Sequence, residues 1–269
     1  MYETFFGLEH PPFQISPDPE FLYPSQAHEE ALEHVRYALN HFKGICLVTG
    51  PVGSGKTTIC RQILRELNPA AVDHALLLNP RVSEMELIRQ ILNDLGEREE
   101  GGAGAAQRLQ DLVLARHRAG RNLVVLVDEA HVMPTESLEV LRLLTNLETT
   151  ERKIVQVVLF AQPEIEERLK KEARLLPLRQ RILVHCRLAP LRYREMVAYI
   201  DHRLAVAGAA DGVRFSTWAR RAIHRWSEGL PRLINHLCDK AMLSAYVRQD
   251  RRVRWADACR AREDVGALL

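Results

Sequence analysis

An eight-residue run, Gly50-Pro51-Val52-Gly53-Ser54-Gly55-Lys56-Thr57, constrains the fold more than any other part of the sequence. It follows the apolar stretch Ile45 to Thr49 and leads into a helical pattern from Thr57 to Leu67. A strand, a glycine-rich turn and a helix in that order let the backbone wrap a phosphate. The glycines free the turn, N–H groups point inward, and the helix N-terminus adds its dipole. Gly50, Pro51, Val52, Gly53, Ser54, Gly55, Lys56, Thr57 and Thr58 thus form the candidate nucleotide site. Lys56 is placed to reach the β- and γ-phosphates of ATP, and Thr57 to offer its hydroxyl to Mg²⁺.

A second motif lies about 70 residues downstream. Leu123 to Val127 is an unbroken apolar run, the mark of a central parallel strand, and it ends in Asp128-Glu129. Carboxylates at the C-terminal end of such a strand open into the crevice where α/β proteins bind ligands. Asp128 is the candidate to hold the Mg²⁺ shell, and Glu129 to orient and deprotonate a water. His131 closes the run Asp-Glu-Ala-His and reads as a supporting residue.

Between and beyond these motifs strands and helices alternate. Helical patterns cover Gln26 to Phe42 (with Ser25 as N-cap), Ser83 to Leu95, a stretch ending near Ala119, and Thr135 to Leu147. Strands are expected at Ala75 to Leu78, Ile154 to Phe160 and Ile182 to Leu188, and a glycine-rich loop at Gly96 to Gly104. Repeated units of this kind imply an α/β fold, a parallel sheet flanked by helices. After about Pro190 only helices are expected, at Leu191 to Val206, Ser216 to Trp226, Leu230 to Val247 and Trp255 to Arg262. The first 25 residues are rich in proline and aromatics, and read as an extended, non-helical arm packed on the body. The expected division is an arm over 1–25, an α/β nucleotide-binding domain over 26–189 and a small all-α lid over 190–269.

Composition limits the alternatives. The chain has 269 residues, 46% hydrophobic and 27% charged, with a net charge of +2, as in an ordinary globular protein without a strong nucleic-acid field. Its five cysteines are odd in number and show no C-x-x-C pair, which argues against a metal or disulfide framework. Cys46 and Cys60 read as core residues. No signal peptide and no apolar run long enough to span a bilayer is evident, so direct membrane insertion is not expected. A cytoplasmic protein, brought to the inner membrane by a partner if it works there, is the expectation.

Phosphoryl transfer needs further polar groups. Gln162 follows the strand Ile154 to Phe160 and is a candidate neighbour of the γ-phosphate; it equally suits a helix entry before Pro163. Arg179 and Arg181 precede the last strand, where an arginine could reach into a neighbouring subunit; Arg181 is preferred, with Arg179 as substitute. Gly229-Leu230-Pro231-Arg232 is a sharp helix entry that puts Arg232 on the first turn, either toward a nucleotide or simply exposed.

Taken together, these residues resemble a known family. Tyr2-x-x-Phe5-Phe6-Gly7-Leu8, Pro12-Phe13, Pro17-Asp18-Pro19-x-Phe21-Leu22-Tyr23 and His28-x-Glu30-Ala31-Leu32 resemble the opening of the ExeA/GspA family. These are AAA+ ATPases of type II secretion, with MshM-like relatives in type IV pilus systems. The likeness continues through Leu78-Asn79-Pro80, the two nucleotide motifs, Gln162-Pro163-Glu164, Gln180-Arg181 and Gly229 to Arg232. It implies an AAA+ core with a helical lid, Gln162 as sensor 1, Arg232 as sensor 2, and Arg181 as an arginine finger acting in a ring or filament of identical subunits. It places the arm and His28 near the adenine. Many family members continue into a transmembrane helix and a peptidoglycan-binding region; the sequence ends at Leu269, before any such region. Ala161 stands where a Gly is usual.

Three functions are compatible with these residues. The first is an ATPase that couples Mg-ATP hydrolysis to oligomer assembly or remodelling, with a protein partner in a secretion or pilus machine. The second is a DNA-binding ATPase that regulates transposition, similar to TniB/TnsC, for which Arg248, Arg251, Arg252 and Arg254 supply basic charge. The third is a nucleotide switch with little turnover, against which Glu129 argues.

Overall fold

Strands form where apolar residues run without interruption. In the computed structural model, which describes residues 2–16, 18–97, 104–148, 153–209 and 212–266, three such runs become β1 (Ile45–Thr49), β3 (Asn122–Val127) and β4 (Val155–Ala161). Almost every residue of the three is buried, which only central strands require. The half-buried β2 (Val72–Leu77) and β5 (Ile182–Arg187) form the edges of a five-stranded, fully parallel sheet of order β2-β3-β4-β1-β5.

The chain divides into two compact units. The first comprises Glu29–Pro51 and Ile59–Leu188 and contains this sheet. Its helices include α4 (Glu84–Asp94), α5 (Ala105–Arg118), α6 (Thr135–Leu144), α7 (Glu164–Lys171) and α8 (Leu176–Arg181). Leu87, Ile91, Leu109, Leu138, Leu141 and Ile165 pack in one core with Val125, Val157 and Leu159 of the sheet. Full burial of each such side chain contributes roughly 1.5–3 kcal/mol. Ser83 caps α4, its hydroxyl accepting from the Glu86 N–H. Cys46 and Cys60 are both buried.

The second unit comprises Met1–His28, Val52–Thr58 and Ala189–Leu269. Its helices are α1 (Tyr2–Phe6), α9 (Tyr193–Val206), α10 (Thr217–Ser227), α11 (Pro231–Val247) and α12 (Trp255–Gly266). Two long helices bridge the units in sequence, α2 (Gln26–Asn40) and α3 (Lys56–Glu66). Phe6, Phe13 and Phe21 of the arm are buried with Met196, Ile200, Ile234 and Met242.

Two expectations need correction. The arm is not free of helix: Tyr2–Phe6 makes one helical turn, which is possible because the prolines begin only at Pro11. Nor do strands end at Pro190. Arg214–Phe215 and Arg252–Val253 pair as a two-residue parallel ribbon, too short to leave a period-two pattern. Pro17 and residues 98–103 of the expected glycine-rich loop lie outside the described residues.

The basic cluster of the second unit is partly neutralised. Arg248 pairs with Asp257 at 2.5 Å and Asp250 at 3.1 Å, and Arg254 pairs with Asp250 at 2.7 Å. Asp257 is fully buried and also accepts from the Ser244 hydroxyl and the Arg254 N–H. Burial pushes its pKa up, but these bonds, led by Arg248, outweigh burial and hold it below the ordinary value. That stabilisation is complete above the ordinary carboxylate range, about pH 4, and is lost as pH falls further. Asp257→Asn is expected to cost about 2–4 kcal/mol at neutral pH. Urea unfolding measures it, and the gap to the wild type should narrow in acid.

Candidate functional site

The first unit brings the second motif together with Gln162. The Asp128 N–H donates to Leu77 O at 2.9 Å, continuing the ladder past the end of β3. Asp128 is 5% exposed, and its Oδ1 accepts from the Glu129 N–H at 2.9 Å. That bond accompanies a backbone reversal: Glu129 has φ 52 and ψ 35, a left-handed conformation that costs a residue with a Cβ about 1 kcal/mol. Helical geometry then resumes at Ala130–Val132.

Because β3 and β4 are adjacent and parallel, with Val127 opposite Leu159, their C-terminal ends are neighbours. Gln162 Nε2 donates to Glu129 Oε2 at 3.3 Å, and the Gln162 N–H donates to His131 Nδ1 at 3.4 Å. His131 Nδ1 also lies 3.6 Å from Glu129 Oε2. Arg168 locks the turn, donating to the carbonyls of His131 at 2.7 Å and Met133 at 3.0 Å. Neither Arg168 nor the link from His131 to Gln162 was evident in the sequence, since both depend on β3 and β4 being neighbours.

Elsewhere in this unit Arg179 is exposed, whereas Arg181 is half-buried with Nη1 shielded from solvent and lacking a hydrogen-bond partner. A guanidinium nitrogen in that position is short of an acceptor.

The second unit shapes the loop. Gly53 (φ +76) and Gly55 (φ +98) are left-handed, and each is covered closely. A Cβ on Gly53 would fall 2.6 Å from Arg232 Cβ, and one on Gly55 would fall 2.6 Å from His28 Nε2. Arg232 sits on the first turn of α11, after Pro231, and its N–H donates to Gly53 O at 3.2 Å. His28 Nε2 donates to Ser54 O at 3.0 Å, which leaves Nδ1 to accept from the Ser25 hydroxyl at 2.6 Å. Ser25 Oγ in turn accepts from the His28 N–H, as expected of an N-cap. Burial lowers the His28 pKa, the direction that keeps this relay neutral. Lys56 is buried, and Ser54 Oγ is buried without a partner. Glycines that admit no side chain and a hydroxyl in need of a partner fit a bound phosphate.

The arm reaches this unit through contacts that sequence patterns do not reveal. Arg203 is buried and donates to Pro12 O at 2.5 Å and Gln14 O at 3.3 Å, and Asn235 donates to Gln14 O at 3.2 Å. The ring of Phe21 lies under the Arg203 guanidinium, 4.8 Å from the centroid.

Gly55→Ala tests this packing. It should cost at least about 1 kcal/mol in stability and displace His28, weakening binding of a fluorescent ATP analogue while thermal unfolding remains cooperative.

A strand–loop–helix with this glycine run, an acidic pair ending another central strand of the sheet and a helical C-terminal region define a P-loop protein of the AAA+ class. Residues 39–169 match the family model described as AAA domain. The chain is 42% identical over 271 aligned residues to the general secretion pathway protein A of Aeromonas hydrophila. All of this chain aligns, and it spans about half (49%) of that relative's length. It belongs to the AAA+ ATPases of the ExeA/GspA type. Among solved structures it is similar to the Aeropyrum pernix ORC2 protein, crystallised as ADPNP-ADP complexes. The TM-score is 0.72 at 17% identity, covering 94% of this chain and 71% of that one. Drosophila ORC bound to DNA gives a TM-score of 0.69 at 20% identity, covering 93% and 63%. The Thermotoga maritima RuvB branch-migration motor gives 0.55 at 18%, covering 89% and 69%. These likenesses bear on fold alone. No described helix is long and apolar enough to cross a membrane.

Proposed function

We propose that the chain binds Mg-ATP on residues 50–58 and hydrolyses it to ADP and phosphate, driving assembly or remodelling of an oligomer of identical subunits within a secretion or pilus machine. The observation that carries this reading is the loop itself, two side-chain-free positions roofed by Arg232 and His28 around the unpartnered Ser54 hydroxyl. Lys56 binds the β- and γ-phosphates, and Arg232 senses the nucleotide. Mg²⁺, when bound, neutralises phosphate charge; the Thr57 hydroxyl and the Asp128 carboxylate are the groups that would hold it.

Glu129 takes a proton from water as its oxygen attacks the γ-phosphorus. The bond from that phosphorus to the bridging oxygen breaks, and ADP leaves with the electron pair. Gln162, already hydrogen-bonded to Glu129, holds water and carboxylate in line. Arg181 supplies charge to a neighbouring subunit's transition state; its unpartnered Nη1 supports that assignment over the exposed Arg179. Arg181→Ala should therefore lower turnover by about 10³-fold or more in the assembled state and leave the dilute monomer unchanged. A rate series over protein concentration tests this, and equal loss at all concentrations would show that Arg181 acts within its own subunit.

The DNA-dependent alternative draws less support, because Arg248 and Arg254 are committed to carboxylates. Turnover measured with and without duplex DNA separates the two readings. The protein partner of the first would also be what brings the chain to the inner membrane.

A further inference from the structure

All three tryptophans of the chain line one cleft of about 500 Å³ on the second unit, far in sequence from the nucleotide motifs. Trp218, Arg221, Arg225 and Trp226 follow one face of α10 at helical spacing, and Trp255 and Arg262 face them from α12. Ala219 and Ile223 of α10 and Ala258 and Ala261 of α12 are buried in the core, and Trp226 is half-buried against it, whereas Trp218 and Trp255 are not part of that packing. Trp218 is 67% and Trp255 56% exposed. Leaving two indoles in water forgoes burial that the fold offers elsewhere, and such patches mark interaction sites.

The charge of the cleft narrows the choice of partner. No acidic residue lines it, α10 has none at all, and Arg221, Arg225 and Arg262 have no carboxylate partner among the described residues. Arg221 stacks 5.1 Å from the Trp218 centroid and Arg262 5.0 Å from the Trp226 centroid. A guanidinium over an indole face has N–H groups left to donate to a carboxylate. Tryptophan and arginine, with lysine absent, is the composition of protein-binding hot spots. A bilayer would need a protruding apolar surface rather than a cleft. Nucleic-acid bases would compete for ring faces that two arginines already cover.

We infer that this cleft docks an acidic segment of a protein partner, with an aromatic or aliphatic side chain of that segment seated among the tryptophans and its carboxylates on the arginine forks. The surface lies outside the residues assigned to ATP chemistry, so its failure would leave that reading intact.

The test uses the full chain and a short fluorescein-labelled peptide built from Glu, Leu and Phe, followed by anisotropy. Controls are the same peptide with Lys for Glu, an oligo-dT, and phosphatidylglycerol vesicles. The acidic peptide should bind with a Kd in the range of roughly 10–100 μM, and the Lys peptide should not bind. Arg221→Glu with Arg225→Glu, and separately Trp218→Ala with Trp255→Ala, should each weaken binding roughly tenfold or more. Circular dichroism and ATP affinity should be unchanged; should one pair fail to fold, the other decides. Equal binding of the Lys peptide overturns the proposal, as does no binding of the acidic peptide at millimolar concentration or no effect of the substitutions. Preferential binding of oligo-dT or vesicles also overturns it. So does a loss of self-association in the variants without peptide binding, which would make the face a contact between copies.

Discussion

Glu129→Gln will retain ATP but turn it over at least about 10³-fold more slowly. The amide has nearly the shape of the carboxylate, and its carbonyl oxygen can still accept from Gln162 Nε2, now 3.3 Å from Glu129 Oε2. What it cannot do is accept a proton from water. Binding, followed with a fluorescent nucleotide, should change by less than about threefold, the size of losing one exposed charge near an anion. Phosphate release, followed by a coupled assay, should fall to near background. Undiminished turnover in this variant would remove Glu129 from the chemistry. The Asp128–Glu129 turn would then be left with a structural role only.

Lys56→Ala should have the larger effect on affinity, a loss of about 10²-fold or more, since a buried charge-assisted bond to phosphate is worth roughly 1.5–3 kcal/mol and the loop loses its only cation. Lys56 is buried at the first turn of α3, where its ammonium faces the phosphate positions proposed for the loop. The variant should gain little thermal stability on adding ATP, whereas the wild type should melt higher with nucleotide. Thermal scans with and without Mg-ATP measure both. If ATP raised the melting temperature of the two proteins equally, the nucleotide would lie elsewhere than residues 50–58.

The sequence was most legible where a feature depends on neighbours along the chain. Unbroken apolar runs marked β1, β3 and β4 to within one or two residues, because a central parallel strand has no solvated face to encode. The glycine loop was legible because only glycine tolerates left-handed backbone under a roof as close as His28 and Arg232. What escaped detection rests on contacts between distant segments. Arg203 reads as one more surface arginine on a helix, yet it is buried against an arm carbonyl 191 residues away in sequence. Gln162 was a candidate from its place after β4 and from family resemblance, but its bond to Glu129 and the place of His131 beside them needed the register of β3 against β4. The left-handed backbone at Glu129 was invisible as well, since nothing in an Asp-Glu pair foretells a conformation glutamate disfavours.

That last feature bears on how such a chain changes over time. Pressure for foldedness alone would favour glycine or asparagine at position 129, where either relieves the torsion. On the role proposed for Glu129, the glutamate stands there at a thermodynamic loss because its carboxylate is needed. On that proposal, a descendant that ceased to consume ATP would gain robustness by relaxing this one residue, and the identity at 129 would mark whether a lineage runs the reaction.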